Sequence, residues 1–419
     1  MTRRTLSLRS SIVFGVLLAA VSPVAAEEHT VSLAEVRSRA AARSPDVRQA
    51  MLRIREAEAT RVGAGIIMPV NPRVQFDLRP GLNQGTGGTY GYGTMLDLLF
   101  EVSGAGGARV READMRAAVA RAQSALTTLE ARLAATEAYV ATALARKQLK
   151  YARDGLAIAE RLTAVARERM AVGAGSEVEL STALAELAER RADVHAAESS
   201  EALQQMGLRL LADLSVDGPL QLASPVDMLS APPEASALAE KARRTRPDLA
   251  LIDARVALLH AADERLRKEA APRVGFYGGL DAAPASPTFG FAGLSVELPV
   301  AQRNQGPRAV AAAETRTELE VAEMLLRRID VELLHRRTAH EAARTELAVL
   351  ADEGIPVAER RLALVEEGWR SGRFDVFKVQ AAAENVVRLK ALRLDVLQRL
   401  WRERLALERL VGGFPDEEA

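Results

Sequence analysis

Residues 73–79 read Arg73-Val74-Gln75-Phe76-Asp77-Leu78-Arg79, a strict alternation of polar and apolar side chains. Successive side chains of a β-strand point to opposite faces. Val74, Phe76 and Leu78 therefore share one face, and Arg73, Gln75, Asp77 and Arg79 the other. Tyr90, Tyr92, Thr94, Leu96, Leu98, Phe100 and Val102 continue the pattern beyond a turn from Gly81 to Gly88. The pattern returns late in the chain as Val274, Phe276, Gly278 and Leu280, followed beyond a turn from Asp281 to Pro287 by Phe289 and Phe291. Leu294, Val296 and Leu298 follow one residue out of phase, which predicts a β-bulge at Ala292-Gly293. Residues 72–102 and 272–300 hold eight of the sixteen aromatic residues in 60 of 419 positions, so the aromatics are concentrated in these strands. Strands of about ten residues, apolar on one face and polar on the other, fit a transmembrane β-barrel. A soluble sheet packed on helices has the same periodicity.

The start of the chain favours the barrel. Arg3, Arg4 and Arg9 precede an apolar run from Ser11 to Val21, and Val24-Ala25-Ala26 supplies small residues for cleavage before Glu27. Residues 1–26 are thus expected to be a signal peptide, and eleven apolar residues are too few for a membrane-spanning helix. Removing them takes three of the 56 basic residues and none of the 56 acidic ones, leaving a net charge of −3. That balance argues against a nucleic-acid partner. The absence of Cys excludes a disulfide framework, thiolate catalysis and Cys-ligated zinc. No later stretch reaches the ~20 apolar residues of a transmembrane helix, so integral contact with a membrane has to be made by strands.

The chain is written twice. Ser44-Pro45-Asp46-Val47 recurs as Arg246-Pro247-Asp248-Leu249, Pro72-Arg73-Val74 as Pro272-Arg273-Val274, and Gly107-Ala108-Arg109 as Gly306-Pro307-Arg308. The stretch from Gly155 to Arg161 matches that from Gly354 to Arg360, and Gly173 matches Gly372. Five matches in order, at offsets of 202, 200, 199, 199 and 199, mark an internal duplication. The expected organisation is a first repeat over 27–217, with strands at about 72–102 and a helical hairpin at about 105–212. A linker or equatorial segment at 218–246 joins it to a second repeat over 247–414, with strands at about 272–300 and a hairpin at about 305–411. Residues 415–419 are a tail.

The hairpins follow from helix propensity. No proline occurs between Pro80 and Pro219, and Gly107 to Arg169 is dominated by Ala, Leu, Glu, Arg and Gln. Gly-containing breaks at 171–176 and 370–375 make the tips, with Ser176 placed to cap the returning helix. Pro356 is expected to interrupt and bend the second long helix. The fold class is therefore mainly α with a small β part: long antiparallel coiled-coil hairpins plus four strands per chain. Lipid tolerates no unpaired strand edge, so copies must join. Two chains give eight strands, a barrel filled by side chains, whereas three give twelve and leave a conduit lined by Arg73, Gln75, Asp77 and Arg79.

The duplicated Pro-Asp-Val/Leu segments, the Pro-Arg-Val strand starts, the stretch Leu298 to Gly306 and the matched tip glycines resemble the outer-membrane factor (TolC) family. Ala183 and Ala382, each ten residues beyond its tip glycine, add to the likeness. Phe100 to Arg109 and Arg303-Asn304-Gln305-Gly306 are most similar to its heavy-metal (CzcC/CusC-like) branch. The resemblance implies a homotrimer with a twelve-stranded barrel in outer-membrane lipid and a helical tunnel in the periplasm. It implies the exit duct of a tripartite exporter, docked on a periplasmic adaptor (membrane fusion) protein and served by an inner-membrane RND-type pump. Val172, Gly173, Ala174, Ser371, Gly372 and Arg373 would be adaptor-contacting tips. Acidic residues that narrow the entrance in well-studied members are replaced here by Lys378 and Ala381, while Glu179 stands at the first-copy equivalent of Lys378. Glu179 and Lys378 are expected to face each other and hold the entrance closed.

No cofactor, metal site or catalytic constellation is expected. His335 and His340 are five residues apart and read as ordinary surface histidines, and no phosphate loop or nucleophile elbow is present. The cargo is read as divalent metal cations or, alternatively, organic compounds. A periplasmic coiled-coil adaptor is the remaining non-channel alternative, and it would carry one hairpin where this chain carries two.

Overall fold

The computed structural model describes residues 29–66, 68, 70–80, 90–216, 218–227, 229, 231–282 and 287–414. The segment expected to be a signal peptide (1–26), the segment read as a tail (415–419), the expected turn from Gly81 to Gly88 and most of that from Asp281 to Pro287 lie outside the described residues. A short strand β1 (His29–Val31) and helices α1 (Leu33–Arg43) and α2 (Pro45–Ala64) lead to β2 (Arg73–Pro80) and β3 (Tyr90–Phe100). A helix of 67 residues, α3 (Ala105–Ala171), then returns as α4 (Glu177–Leu211). After β4 (Leu220–Leu222) and α5 (Ala235–Thr245), the order repeats: α6 (Pro247–Glu269), β5 (Arg273–Ala282), β6 (Phe289–Glu297), α7 (Gln305–Val349), α8 (Ile355–Arg370) and α9 (Val376–Leu410).

The local chemistry explains the element boundaries. Ser44 caps α2 by accepting a hydrogen bond from the Val47 amide, and Pro45 occupies the first turn, where no amide donor is required. Pro247 plays the same part in α6. At 1.5 Å per residue α3 extends about 100 Å. Its counterpart in the second copy is divided by a π-helical turn, Leu350–Gly354, just before Pro356 in the first turn of α8. Proline cannot donate to the preceding turn and its ring needs space, so the wider turn accommodates it. The first copy has Ala157 at that position, and α3 runs through unbroken.

The four long strands form one antiparallel sheet in the order β2-β3-β5-β6. The expected bulge at Ala292-Gly293 is absent. Pairing is residue for residue from Arg273 opposite Glu297 to Asp281 opposite Phe289. The phase change is instead a change of face: Phe289 and Phe291 share a face with Tyr277, Gly279 and Asp281, while Leu294 and Val296 share the other with Val274 and Phe276.

Beneath the sheet α2 packs on α3, α3 on α6 and α6 on α7. Further from the sheet the order becomes α4, α3, α9, then α7 and α8. Between these levels lies the largest core cluster, which includes Val31, Val36, Tyr139, Leu208, Leu220, Val226, Leu400 and Trp401. Here β1 pairs in parallel with β4, tying the segment after α4 to the start of the chain. The Tyr139 hydroxyl accepts from the Ser224 amide at 2.8 Å and donates to the Ser224 carbonyl at 3.1 Å, while the Trp401 indole donates to the Val226 carbonyl at 2.9 Å. Tyr139→Phe leaves both Ser224 groups without this partner and is expected to cost about 1–3 kcal/mol, read as a lower thermal midpoint of the detergent-solubilised protein.

Candidate functional site

Every charged residue of the four long strands lies on one face of the sheet. Arg73, Asp77 and Arg79 of β2, Asp97 of β3, Arg273 and Asp281 of β5 and Glu297 of β6 share it, together with Gln75. Arg79 crosses β3 to reach Asp281 with Nη1 at 3.3 Å, a path open because Gly93 presents no side chain beneath the guanidinium. Arg273 meets Glu297 at 3.6 Å, and Gln75 donates to Asp77 at 3.0 Å. The opposite face carries Val74, Phe76, Leu78, Tyr92, Leu96, Phe276, Leu280, Leu294 and Val296, all exposed. Nothing among the described residues covers them. An apolar sheet face left uncovered over four strands is suited to hydrocarbon rather than water.

The sheet joins the helices at one end only, so the two hairpin tips lie at the far end of the helices. Gly173 and Gly372 both adopt φ of +74°, the left-handed conformation that ends a helix and that a side chain would strain. Beyond them the Ala174 amide donates to the Arg169 carbonyl at 2.8 Å and the Arg373 amide to the Gly368 carbonyl at 2.8 Å, the same closure in both copies. Ser176 caps α4 and Asp375 caps α9. Val172, Gly173, Ala174, Ser371, Gly372 and Arg373 are all exposed. Arg169 ties the two tips together: its guanidinium donates to the Trp369 carbonyl at 3.3 Å and the Ala174 carbonyl at 2.9 Å and lies 5.9 Å from the buried Trp369 ring. Sequence reasoning passed over Arg169 and Trp369, whose spacing carries no motif.

Glu179 and Lys378 occupy matching positions in the first turns of α4 and α9, and their amides are the ones the caps Ser176 and Asp375 hold. Within one chain Glu179 faces Arg169 Nε at 3.9 Å, and Lys378 Nζ lies 5.2 Å above the Phe374 ring. A Glu179–Lys378 pair is not among the ion pairs of the described residues.

The reading of His340 as a surface histidine is overturned. The ring is fully buried on α7, and neither nitrogen has a hydrogen-bond partner. Helical periodicity did not expose this, because the neighbours that bury it come from α9. Burial, reinforced by Arg404 and Arg344 against the weaker pull of Glu341 and Glu403, lowers its pKa to about 4. Among the described residues no group of three or more His, Asp or Glu could hold a metal ion, and no helix is long and apolar enough to cross a membrane.

Residues 36–212 match the family described as outer membrane efflux protein. The chain is 24% identical over 325 residues, 76% of its own length and 76% of the relative's, to the cobalt-zinc-cadmium resistance protein CzcC of Cupriavidus metallidurans. The match to the outer membrane efflux protein family thus covers the first repeat, and the likeness to CzcC runs over about three quarters of the chain. The chain's fold is shared with CusC, a protein described as forming a transmembrane channel, at TM-score 0.76 and 17% identity over 92% of this chain and 94% of that one. It is likewise shared with the outer-membrane channel OprN at TM-score 0.73 and 18% identity over 91% and 90%. The resemblance read from the duplicated motifs agrees with the family whose model matches residues 36–212, and the mainly helical fold with a small sheet part is that of the solved channels the chain is similar to.

The buried histidine makes stability depend on pH. The unfolded chain takes up a proton near pH 6.5 that folded His340 refuses until about pH 4, so stability is full above 6.5 and falls as pH drops through that window. The loss is expected to reach roughly 3 kcal/mol. His340→Phe should flatten the thermal midpoint measured between those pH values.

Proposed function

We propose that this chain is the outer-membrane exit duct of a tripartite efflux system. Three copies close into a ring and passively conduct substrates delivered by an inner-membrane pump through a periplasmic adaptor. The observation that carries the reading is that the chain ends in two open edges at every level. Along the sheet the edges are β2 and β6, each paired on one side only. Beneath it they are α2, with exposed Met51, Leu52 and Val62, and α7, with exposed Val310, Leu319 and Met324. Lower down they are α4, with exposed Leu203, Met206 and Leu210, and α8, with exposed Val357 and Leu364. Joining one copy's second-repeat edge to the next copy's first-repeat edge covers all of these at once. Three copies of the four-stranded sheet supply twelve strands, enough for an open lumen lined by Arg73, Gln75, Asp77 and Arg79.

The sheet then sits in the outer membrane with its apolar face to lipid, and the helices form a tunnel in the periplasm. The exposed tips at 171–176 and 370–375 dock on the adaptor, and the pump is of the RND type. As a channel component the protein is not an enzyme; it supplies a path, and the pump supplies the driving force. The similarity to CzcC supports divalent metal cations as cargo. A strain lacking the chain is expected to lose tolerance to zinc, cobalt or copper and to regain it with the cloned gene. Unchanged metal tolerance with new sensitivity to detergents and dyes would assign organic compounds as cargo.

At the entrance Glu179 of one copy and Lys378 of the next form the pair expected from the matched tips. Lys378→Glu places like charges there and is expected to raise single-channel conductance in lipid bilayers; an unchanged conductance would remove the pair from the gating account.

A further inference from the structure

The polar face of the sheet is not uniformly polar. Phe289 and Phe291 of β6 lie on it, 60% and 41% exposed, beside Tyr277 of β5. The rings of Tyr277 and Phe291 are 6.4 Å apart and inclined at 52°. Each lies over a glycine of the opposing strand. A Cβ on Gly279 would sit 2.9 Å from the Phe291 ring, and one on Gly293 would sit 2.5 Å from the Tyr277 hydroxyl. Each ring thus reaches across the space that a side chain at its opposing glycine would fill, and so stays on the charged face of the sheet.

The strand ends at Pro80, Tyr90, Ala282 and Phe289 are those remote from the helices. Phe289 and Phe291 therefore occupy the outer half of the sheet, with Asp281 directly opposite Phe289. The same face carries three cationic residues (Arg73, Arg79, Arg273) and four anionic ones (Asp77, Asp97, Asp281, Glu297), an excess of one negative charge per chain. Aromatic faces attract cations, and a cation bearing apolar groups also covers the ring surface.

We propose that Tyr277, Phe289 and Phe291 form a binding site for organic cations bearing apolar groups on the inner wall of the barrel. The site rests on the duct reading, because only ring closure turns this face inward. It gives the conduit a preference among solutes that a purely polar wall would lack. A hydrated divalent metal ion, keeping its water shell, gains little from it, whereas a quaternary ammonium ion is retained.

The test uses the mature protein in planar lipid bilayers, with tetrabutylammonium as the probe against potassium chloride current. The wild type is expected to show concentration-dependent block. The double variant Phe289→Leu, Phe291→Leu keeps apolar bulk but removes two ring faces, and it should need roughly threefold or more probe for half block. Block is read as a fraction of each protein's own potassium current, so a change in conductance does not enter the comparison. Phe291→Tyr, which keeps a ring face, should block like the wild type and shows that the wall tolerates substitution. Equal block in the wild type and the leucine variant, or no block in the wild type, would overturn the site while leaving the duct intact. A wild type that forms no conducting species would overturn the duct reading and this inference with it.

Discussion

A strand edge exposes N–H and C=O groups that lipid cannot satisfy, and each group left bare there costs several kcal/mol. Four strands with an apolar outer face and two open edges are therefore an incomplete object. β2 and β6 need partners, and among the described residues the chain contains none. The rest of the architecture is consistent with this demand. The helices beneath the sheet present their own open flanks on the same two sides, so one head-to-tail joining rule serves strands and helices alike. A heterologous contact of this kind closes into a ring when its rotation divides the circle.

Duplication makes the rule economical. Each repeat supplies one strand pair and one helical hairpin, and under the proposed closure the two copies alternate around the ring axis. The copies are not equivalent, however. Pro356 introduces a π-helical turn into the second hairpin, whereas α3 of the first is continuous. The tips, in contrast, are built alike, with a left-handed glycine, a returning amide and a side-chain cap in each. Arg169 then joins one tip to the other through Trp369, a contact between the two hairpins of one chain at that end.

Much of this was legible in the residues because it rests on local rules. Alternation revealed the strands and their faces, propensity the long helices, and Gly173, Gly372 and Ser176 the turns between them. The order of duplicated motifs carried the resemblance to the family whose model matches residues 36–212. What was not legible depends on partners distant in sequence. The phase change at Ala292-Gly293 reads as a bulge only when β6 is taken alone; pairing with Gly279 and Tyr277 on β5 shows that the strand instead turns two rings onto the charged face. His340 looks like a solvent-facing histidine until α9 is laid against α7. Arg79 and Asp281 belong to different repeats, and their meeting across Gly93 requires the register of three strands.

Native mass spectrometry of the mature chain, extracted from outer-membrane fractions in mild detergent, tests the central claim most directly. Closure of the open edges by copies of the same chain predicts a dominant species of three chains that dissociates to single chains only on heating or harsh denaturation. A dominant species of one chain, stable in detergent with its strand edges protected from hydrogen exchange, would contradict it.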